Sequence, residues 1–351
     1  MRAVCYASYG APPRLTELPD PDCPADGVVL RVAATGVCRS DWHAWQGHDP
    51  VPLPMVPGHE LVGEIIEVGR EVRRWAPGAR VTVPFACGCG RCEHCAAGAT
   101  QVCPAQTQPG FTRWGSFADY VAIESADANL VALPPELTSI EAAALGCRFA
   151  TAYGALRHLG GAGAGPGSGL VIWGCGGVGL SAIALAAATG ARIVAVDPSE
   201  AAREAAAGLG AMAGLDPSGL TPAAAADAVR DLLGGGAHGS IDAVGRPELL
   251  AAGVLALRPR GRHAQVGLLL GDDAAPAVPM GLVIARELQI RGVHGLAAQH
   301  YPALLDQVRT AAIDLSRLIG RVVGLAEAPA ALAAMSAPGA VAGLTVLDLS
   351  R

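Results

Sequence analysis

Cys89, Cys92, Cys95 and Cys103 stand in a C-x2-C-x2-C-x7-C array. Two-residue spacers let neighbouring thiolates converge on one ion, and four sulfurs fill a tetrahedral zinc shell with no position left for substrate. A closed site of this kind stiffens a loop and performs no chemistry. Spacing this tight suits chelation better than disulfide bridging, and the ten cysteines accompany no secretion signal. Cys87 is a fifth sulfur nearby and complicates the ligand count; it is read, with Cys5, Cys23 and Cys175, as non-ligating. A nucleic-acid-binding zinc ribbon is disfavoured, because only Arg91 and His94 between the ligands are basic.

A second constellation lies downstream. Gly174-Cys175-Gly176-Gly177-Val178-Gly179 is a G-x-G-x-x-G run that follows the apolar stretch Leu170–Trp173 and opens an Ala-rich helical segment. Gly174 allows a tight turn, Gly176 lets a pyrophosphate approach the backbone, and Gly179 lets helix and strand pack closely. The helix N-terminus offers free N–H groups and partial positive charge to phosphates. Asp197, 18 residues after Gly179, ends the next apolar run, where its carboxylate would accept from the adenosine ribose and repel a 2′-phosphate. No Arg occurs in Pro198-Ser199-Glu200, and Arg203 lies further along, so NAD is favoured over NADP. Val244, Val266 and Gly267, at the ends of later strands, are assigned to the same cofactor.

These groups need two kinds of scaffold. Up to about residue 145 the chain reads as β-rich: short runs such as Val28–Val32 and Arg80–Val83 alternate with Pro and Gly. Gly160–Gly169 has the composition of a flexible loop. Strands are then expected at Leu170–Trp173, Arg192–Val196, Met212–Leu215, Ser240–Val244, Arg262–Val266 and Leu288–Arg291. Helices between them include Gly177–Thr189 and Thr221–Leu233. Strands alternating with helices imply a parallel sheet covered on both faces. A helix at Tyr301–Thr310 and a strand at Leu344–Leu349 follow, and this tail could return to the first domain.

Composition narrows the function classes. The 351 residues exceed what one core serves, and 51% hydrophobic against 16% charged residues supports large buried cores. No run approaches the roughly 20 apolar residues of a membrane span. The start, Met1-Arg2-Ala3-Val4, lacks a signal-peptide pattern, so a cytoplasmic protein is expected. The net charge of −6 argues against nucleic-acid partners. Every one of the 25 basic residues is Arg, which excludes Lys Schiff-base chemistry.

Three further segments mean little singly: Gly36-Val37-Cys38-Arg39-Ser40-Asp41-Trp42-His43, Pro57-Gly58-His59-Glu60, and Leu145-Gly146-Cys147-Arg148-Phe149 through Gly154. In this order, beside a four-cysteine lobe and a G-x-G-G-V-G turn, they make the whole chain resemble the zinc-containing alcohol dehydrogenases of the medium-chain family. The resemblance implies an α/β protein with two domains. Residues 1–148 plus 293–351 would form a GroES-like β-rich catalytic domain carrying the structural zinc lobe. Residues 149–292 would form a Rossmann domain with a doubly wound parallel sheet.

It also implies two zinc ions per chain and NAD. Cys38, His59 and Cys147 would hold the catalytic zinc with a fourth position open. Glu60 would lie close behind the metal, able to ligate it transiently, and Asp41 would hydrogen-bond His59 and fix its ring. Ser40 matches the hydroxyl that touches the alcohol oxygen, and His43 the base that ends the proton relay. Arg39 matches a contact to the cofactor pyrophosphate. Phe85 matches a wall of the substrate pocket; with Trp45 it suggests primary or aromatic alcohols and their aldehydes. Zinc would favour the alkoxide of the alcohol, which releases hydride to NAD.

Two departures stand out. Gly343-Leu344-Thr345-Val346-Leu347 lacks the Arg common at that point in the family, and no Lys follows Asp197. The expected partners are a small-molecule alcohol or aldehyde and further copies of the chain, as dimer or tetramer, with no nucleic acid and no membrane. Alternatives are a polyol dehydrogenase, a zinc-retaining biosynthetic carbonyl or C=C reductase, and a non-catalytic binding or structural protein on the same fold.

Overall fold

The computed structural model describes residues 1–163, 165–337 and 343–351. The chain divides into two compact units. One comprises Met1–Ala150, Gly295–Asp306 and Leu315–Arg351, the other Thr151–His294 and Gln307–Asp314.

The first unit is built on a seven-stranded sheet ordered Ile319–Val323, Leu344–Asp348, Val28–Val37, Glu60–Val68, Arg80–Thr82, Val131–Ala132, with Tyr120–Ile123 also paired to Val28–Val37. All its pairings are antiparallel except Ile319–Val323 with Leu344–Asp348. The Val28–Val37 strand is rich in β-branched residues and buried on both faces apart from the exposed Arg31 and half-buried Ala33, which suits a central strand. Its neighbour, Glu60–Val68, begins with the residue after His59, so the sheet itself delivers that histidine. Val28, Leu30, Leu61, Ile65, Val81 and Val121 form the core between them.

The second unit is a six-stranded, wholly parallel sheet ordered Ala213–Leu215, Arg192–Val196, Gly169–Trp173, Ala237–Asp242, Leu257–Gln265, Gln289–Gly292. Numbered along the chain this is 3-2-1-4-5-6, the doubly wound order whose switch point lies beyond the carboxyl ends of the first and fourth strands. The strand expected at Ser240–Val244 is Ala237–Asp242 instead. The fully buried Asp242 carboxylate accepts from the backbone N–H of Val244 and Gly245 at 2.8 and 3.0 Å, turning the chain before Val244 is reached. The helix expected to Thr189 ends at Ala187. Within the Gly160–Gly169 loop, Ala164 lies outside the described residues. Among the described residues no helix is long and apolar enough to cross a membrane.

Candidate metal centres and dinucleotide turn

Cys38 ends the Val28–Val37 strand and caps the Arg39–Gln46 helix. Asp41, in the first turn of that helix, is fully buried and receives three N–H groups: Cys38 N at 2.9 Å, Gly58 N at 3.0 Å and His59 Nδ1 at 2.8 Å. It thereby ties one prospective ligand to the segment that carries another. Cys147 sits in a π-helical turn, Leu145–Phe149, a geometry often found at functional positions. The ligand atoms of Cys38, His59 and Cys147 lie within 4.8 Å of one another.

These residues fit a zinc ion. The His59 Nε2 atom is buried with no hydrogen-bond partner, while Nδ1 is held by Asp41. With Asp41 holding Nδ1, the remaining ring nitrogen lies with the Cys38 and Cys147 sulfurs around one metal-sized space. The two thiols act on one another: the hydrogen bond from Cys147 pulls Cys38 well below the usual thiol range, and the same bond with burial pushes Cys147 well above it.

Glu60 is buried behind this group and paired with Arg148. Burial alone would lower the Arg148 guanidinium pKa, but the Glu60 charge outweighs it and holds the Arg cationic. Sequence reasoning gave Arg148 no role. An Arg after a ligand Cys reveals nothing of its direction until the turn is seen. Phe85 and Phe111 stand edge-on to the His59 ring, at 6.1 and 5.1 Å between centroids, and Phe111, a buried core residue, is a contact that the sequence did not single out. Trp45, expected at the substrate pocket, is placed in the core instead. It is only 6% exposed among Tyr6, Met55 and Phe117, with its indole N–H donating to Ala11 O. Asp41, Ala44 and Trp45 are the buried residues of this helix, so Trp45 lies on its core-facing side.

Ser40 and His43 lie three residues apart on the Arg39–Gln46 helix, hence on one face. The Cys38 Sγ–Ser40 Oγ distance is 3.9 Å, and His43 Nδ1 stands 3.1 Å from His48 Nδ1. Arg39 lies over the Trp42 ring and donates to Met335 O.

The ligand atoms of Cys89, Cys92, Cys95 and Cys103 also gather within 4.8 Å. Sulfur separations of 3.5 Å (Cys92–Cys95) and 3.6 Å (Cys92–Cys103) are far beyond the roughly 2.05 Å of a disulfide and suit a shared tetrahedral ion. Backbone N–H groups of Arg91 and Cys92 bring the Cys89 thiol down to about 6. Asn129 braces the lobe by bonding both backbone groups of Gly88. Cys87 stands apart from the cluster: its buried thiol donates to Pro84 O, and burial pushes it up to about 12.

In the second unit, Gly174 adopts φ +92° beneath Val244, where a Cβ would come within 2.3 Å of Cγ2. A Cβ at Gly179 would lie 1.8 Å from Gly174 O, so the helix starting at Gly177, with Val178 in its first turn, can approach the strand only with Gly there. At Gly176 nothing stands within 4 Å: the space is open to a ligand. Asp197 accepts from Cys175 N at 2.8 Å and Ser199 N at 2.9 Å. A cavity of about 360 Å³ beside them is lined by Gly174, Asp197, Pro217, Thr221, Val244 and Leu249, among others. Val266 and Gly267 close the adjacent turn by donating to Asp242 O.

Residues 24–135 match the family model of the alcohol dehydrogenase GroES-like domain, and residues 177–310 that of zinc-binding dehydrogenases. A geraniol dehydrogenase of Castellaniella defragrans is 35% identical over 324 residues, 84% of each chain. The alcohol dehydrogenase TADH from Thermus sp. ATN1 superposes with a TM-score of 0.89 at 28% identity over 99% of both chains. A zinc-binding dehydrogenase from Sinorhizobium meliloti bound to NADP gives a TM-score of 0.86 at 28% identity, covering 99% of this chain and 98% of its own.

Proposed function

The chain belongs to the zinc-containing alcohol dehydrogenases of the medium-chain family and is an oxidoreductase, and from that footing we propose that it interconverts alcohols and their carbonyl products with NAD, using two zinc ions. The observation that carries this reading is the buried His59 Nε2, left without a hydrogen-bond partner and within 4.8 Å of the Cys38 and Cys147 sulfurs. Cys38, His59 and Cys147 would hold one ion and Cys89, Cys92, Cys95 and Cys103 the other.

Bound zinc supplies Lewis acidity toward the substrate oxygen, and bound nicotinamide supplies the hydride acceptor. The protein's own part is positional. Asp41 holds the His59 ring and the Cys38 backbone in one arrangement, so the donor set costs little reorganisation. Phe85, edge-on to the His59 ring, favours an apolar, primary or aromatic substrate, and Phe111 backs that ring from the core. Ser40 takes the hydroxyl proton, and His43 receives it as the base at the outer end of the relay. Gly176 and the helix after it receive the pyrophosphate.

NAD is preferred for two reasons. Asp197 brings a negative charge to the ribose position. Two cations by that position are already engaged: Arg203 donates to Asp197 O at 2.6 Å and pairs with Asp216 at 3.7 Å, and Arg246, which lines the same cavity, pairs with Glu248 at 3.8 Å. The reading includes a homo-oligomer. Gln289–Gly292 is an edge strand exposed at all four residues, and Ile284 (74% exposed) and Met280 (52%) stand on the preceding helix. A screen of alcohols and aldehydes following NADH absorbance, run with NAD and with NADP, tests substrate class and cofactor together. No turnover with any alcohol or aldehyde would overturn the reading, and a preference for NADP would overturn the Asp197 argument.

A further inference from the structure

Glu60 is bound more completely than a carboxylate awaiting a metal would be. Its Oε1 accepts from Cys147 N at 3.2 Å, Arg148 N at 3.0 Å and Arg148 Nε at 3.0 Å, and its Oε2 accepts from Arg148 Nη2. Both side chains are buried. The surroundings are shaped to this pair. A Cβ at Gly36 would fall 2.2 Å from Glu60 Oε2 and 3.0 Å from Arg148 Nη2, and one at Gly146 would fall 2.7 Å from Glu60 Cα. Tyr301 OH donates to Gly146 O at 3.1 Å and steadies the same turn from behind.

Two consequences follow from this geometry. To reach a neighbouring ion, Glu60 would have to surrender a two-pronged charged pair and two backbone donors inside a dry pocket, where the abandoned Arg148 would be left unpaired. In addition, the bonds cross between ligands. Glu60 follows His59, while the N–H groups it accepts belong to Cys147 and its successor. We propose that Arg148 is a positioning residue: it locks Glu60 outside the metal's coordination shell and, through Glu60, holds the Cys147 turn in ligating position against His59. This departs from the transient ligation by Glu60 that the family resemblance implied. It rests on the reading of Cys38, His59 and Cys147 as a zinc site.

The test uses the full chain loaded with cobalt(II) in place of zinc. Its readouts are the visible absorption of the site and the rate of metal release to a chelator. The four-cysteine site is an internal control. Wild type should give the intense band of a four-coordinate site and slow release. Arg148→Met should weaken that band as Glu60 joins the shell, and should speed release about ten-fold or more, with the four-cysteine site unchanged. Arg148→Lys should recover part of the effect. Glu60→Gln combined with Arg148→Met should restore the band, because no free carboxylate remains.

An Arg148→Met protein with the wild-type band and release within about two-fold would overturn the proposal, even if it melted at lower temperature. Should that variant fail to fold, Glu60→Gln alone decides: about ten-fold faster release at the Cys38 site supports the lock, and unchanged release overturns it. Wild type taking up metal only at the four-cysteine site would instead overturn the zinc-site reading beneath it.

Discussion

A single methyl group added at Gly176 should cripple dinucleotide binding and leave the fold intact, whereas the same methyl at Gly179 should damage the fold. Gly176 has φ −79° and ψ −164°, an extended conformation open to Ala, and its Cβ would meet nothing within 4 Å. Loss of a Gly helix cap to Ala costs about 0.5–1 kcal/mol, and the reduced freedom of the unfolded chain returns about 0.4–1 kcal/mol, so stability should move by no more than about 0.5 kcal/mol. The methyl would, however, fill the open space that the proposed pyrophosphate site needs over the turn. Losing one charged hydrogen bond of about 1.5–3 kcal/mol weakens binding about 10- to 100-fold. At Gly179 the methyl would lie 1.8 Å from Gly174 O, and relieving that overlap should cost about 2 kcal/mol or more, beyond the roughly 1 kcal/mol that Ala gains in a helix. NADH titration by fluorescence and urea unfolding separate the two effects. Unaltered NADH affinity in Gly176→Ala would refute the placement of the phosphates over this turn.

Cys38→Ala or His59→Ala should abolish turnover while NADH affinity stays near wild type; normal turnover in a metal-analysed variant would remove these residues from the centre. Burial, aided by the charges of His48 and Arg39, holds the His43 pKa below its ordinary value of 6.5, so the ring stays neutral and able to accept a proton somewhat below that pH. His43→Gln should therefore slow alcohol oxidation most below neutral pH, and an unchanged pH–rate profile would exclude His43 from the relay. The same depression has a stability sign. The unfolded chain takes up this proton first, so His43 lowers stability as pH falls below about 6.5, and His43→Gln should flatten that decline in urea titrations at several pH values.

Much of the architecture was legible because its signals are local. Gly174, Gly176 and Gly179 declare a strand–turn–helix by spacing, and the cysteines from Cys89 to Cys103 declare a closed cluster. The proposed zinc ligands Cys38, His59 and Cys147, by contrast, are separated by 21 and 88 residues along the chain, and a lone Cys or His carries no direction. Only their likeness to an ordered set of family segments joined them. What stayed illegible depends on tertiary aim. Trp45 could face a pocket or a core, and the Ala11 carbonyl decides for the core. Phe111 reaches His59 from a loop without periodicity. The Asp242 carboxylate stops a strand that its apolar neighbours would continue. Arg148 could have turned to solvent, but the π turn points it inward to Glu60.

The account turns on one ion bound by two sulfurs and a ring nitrogen. Anomalous diffraction from crystals of the zinc-loaded chain, measured on both sides of the zinc edge, locates every zinc directly. Two peaks per chain are expected, one inside the four-cysteine lobe and one at about 2.3 Å from the sulfurs of Cys38 and Cys147 and about 2.0–2.1 Å from His59 Nε2. A single peak in the lobe, with the Cys38, His59 and Cys147 side chains apart and metal-free, would contradict it.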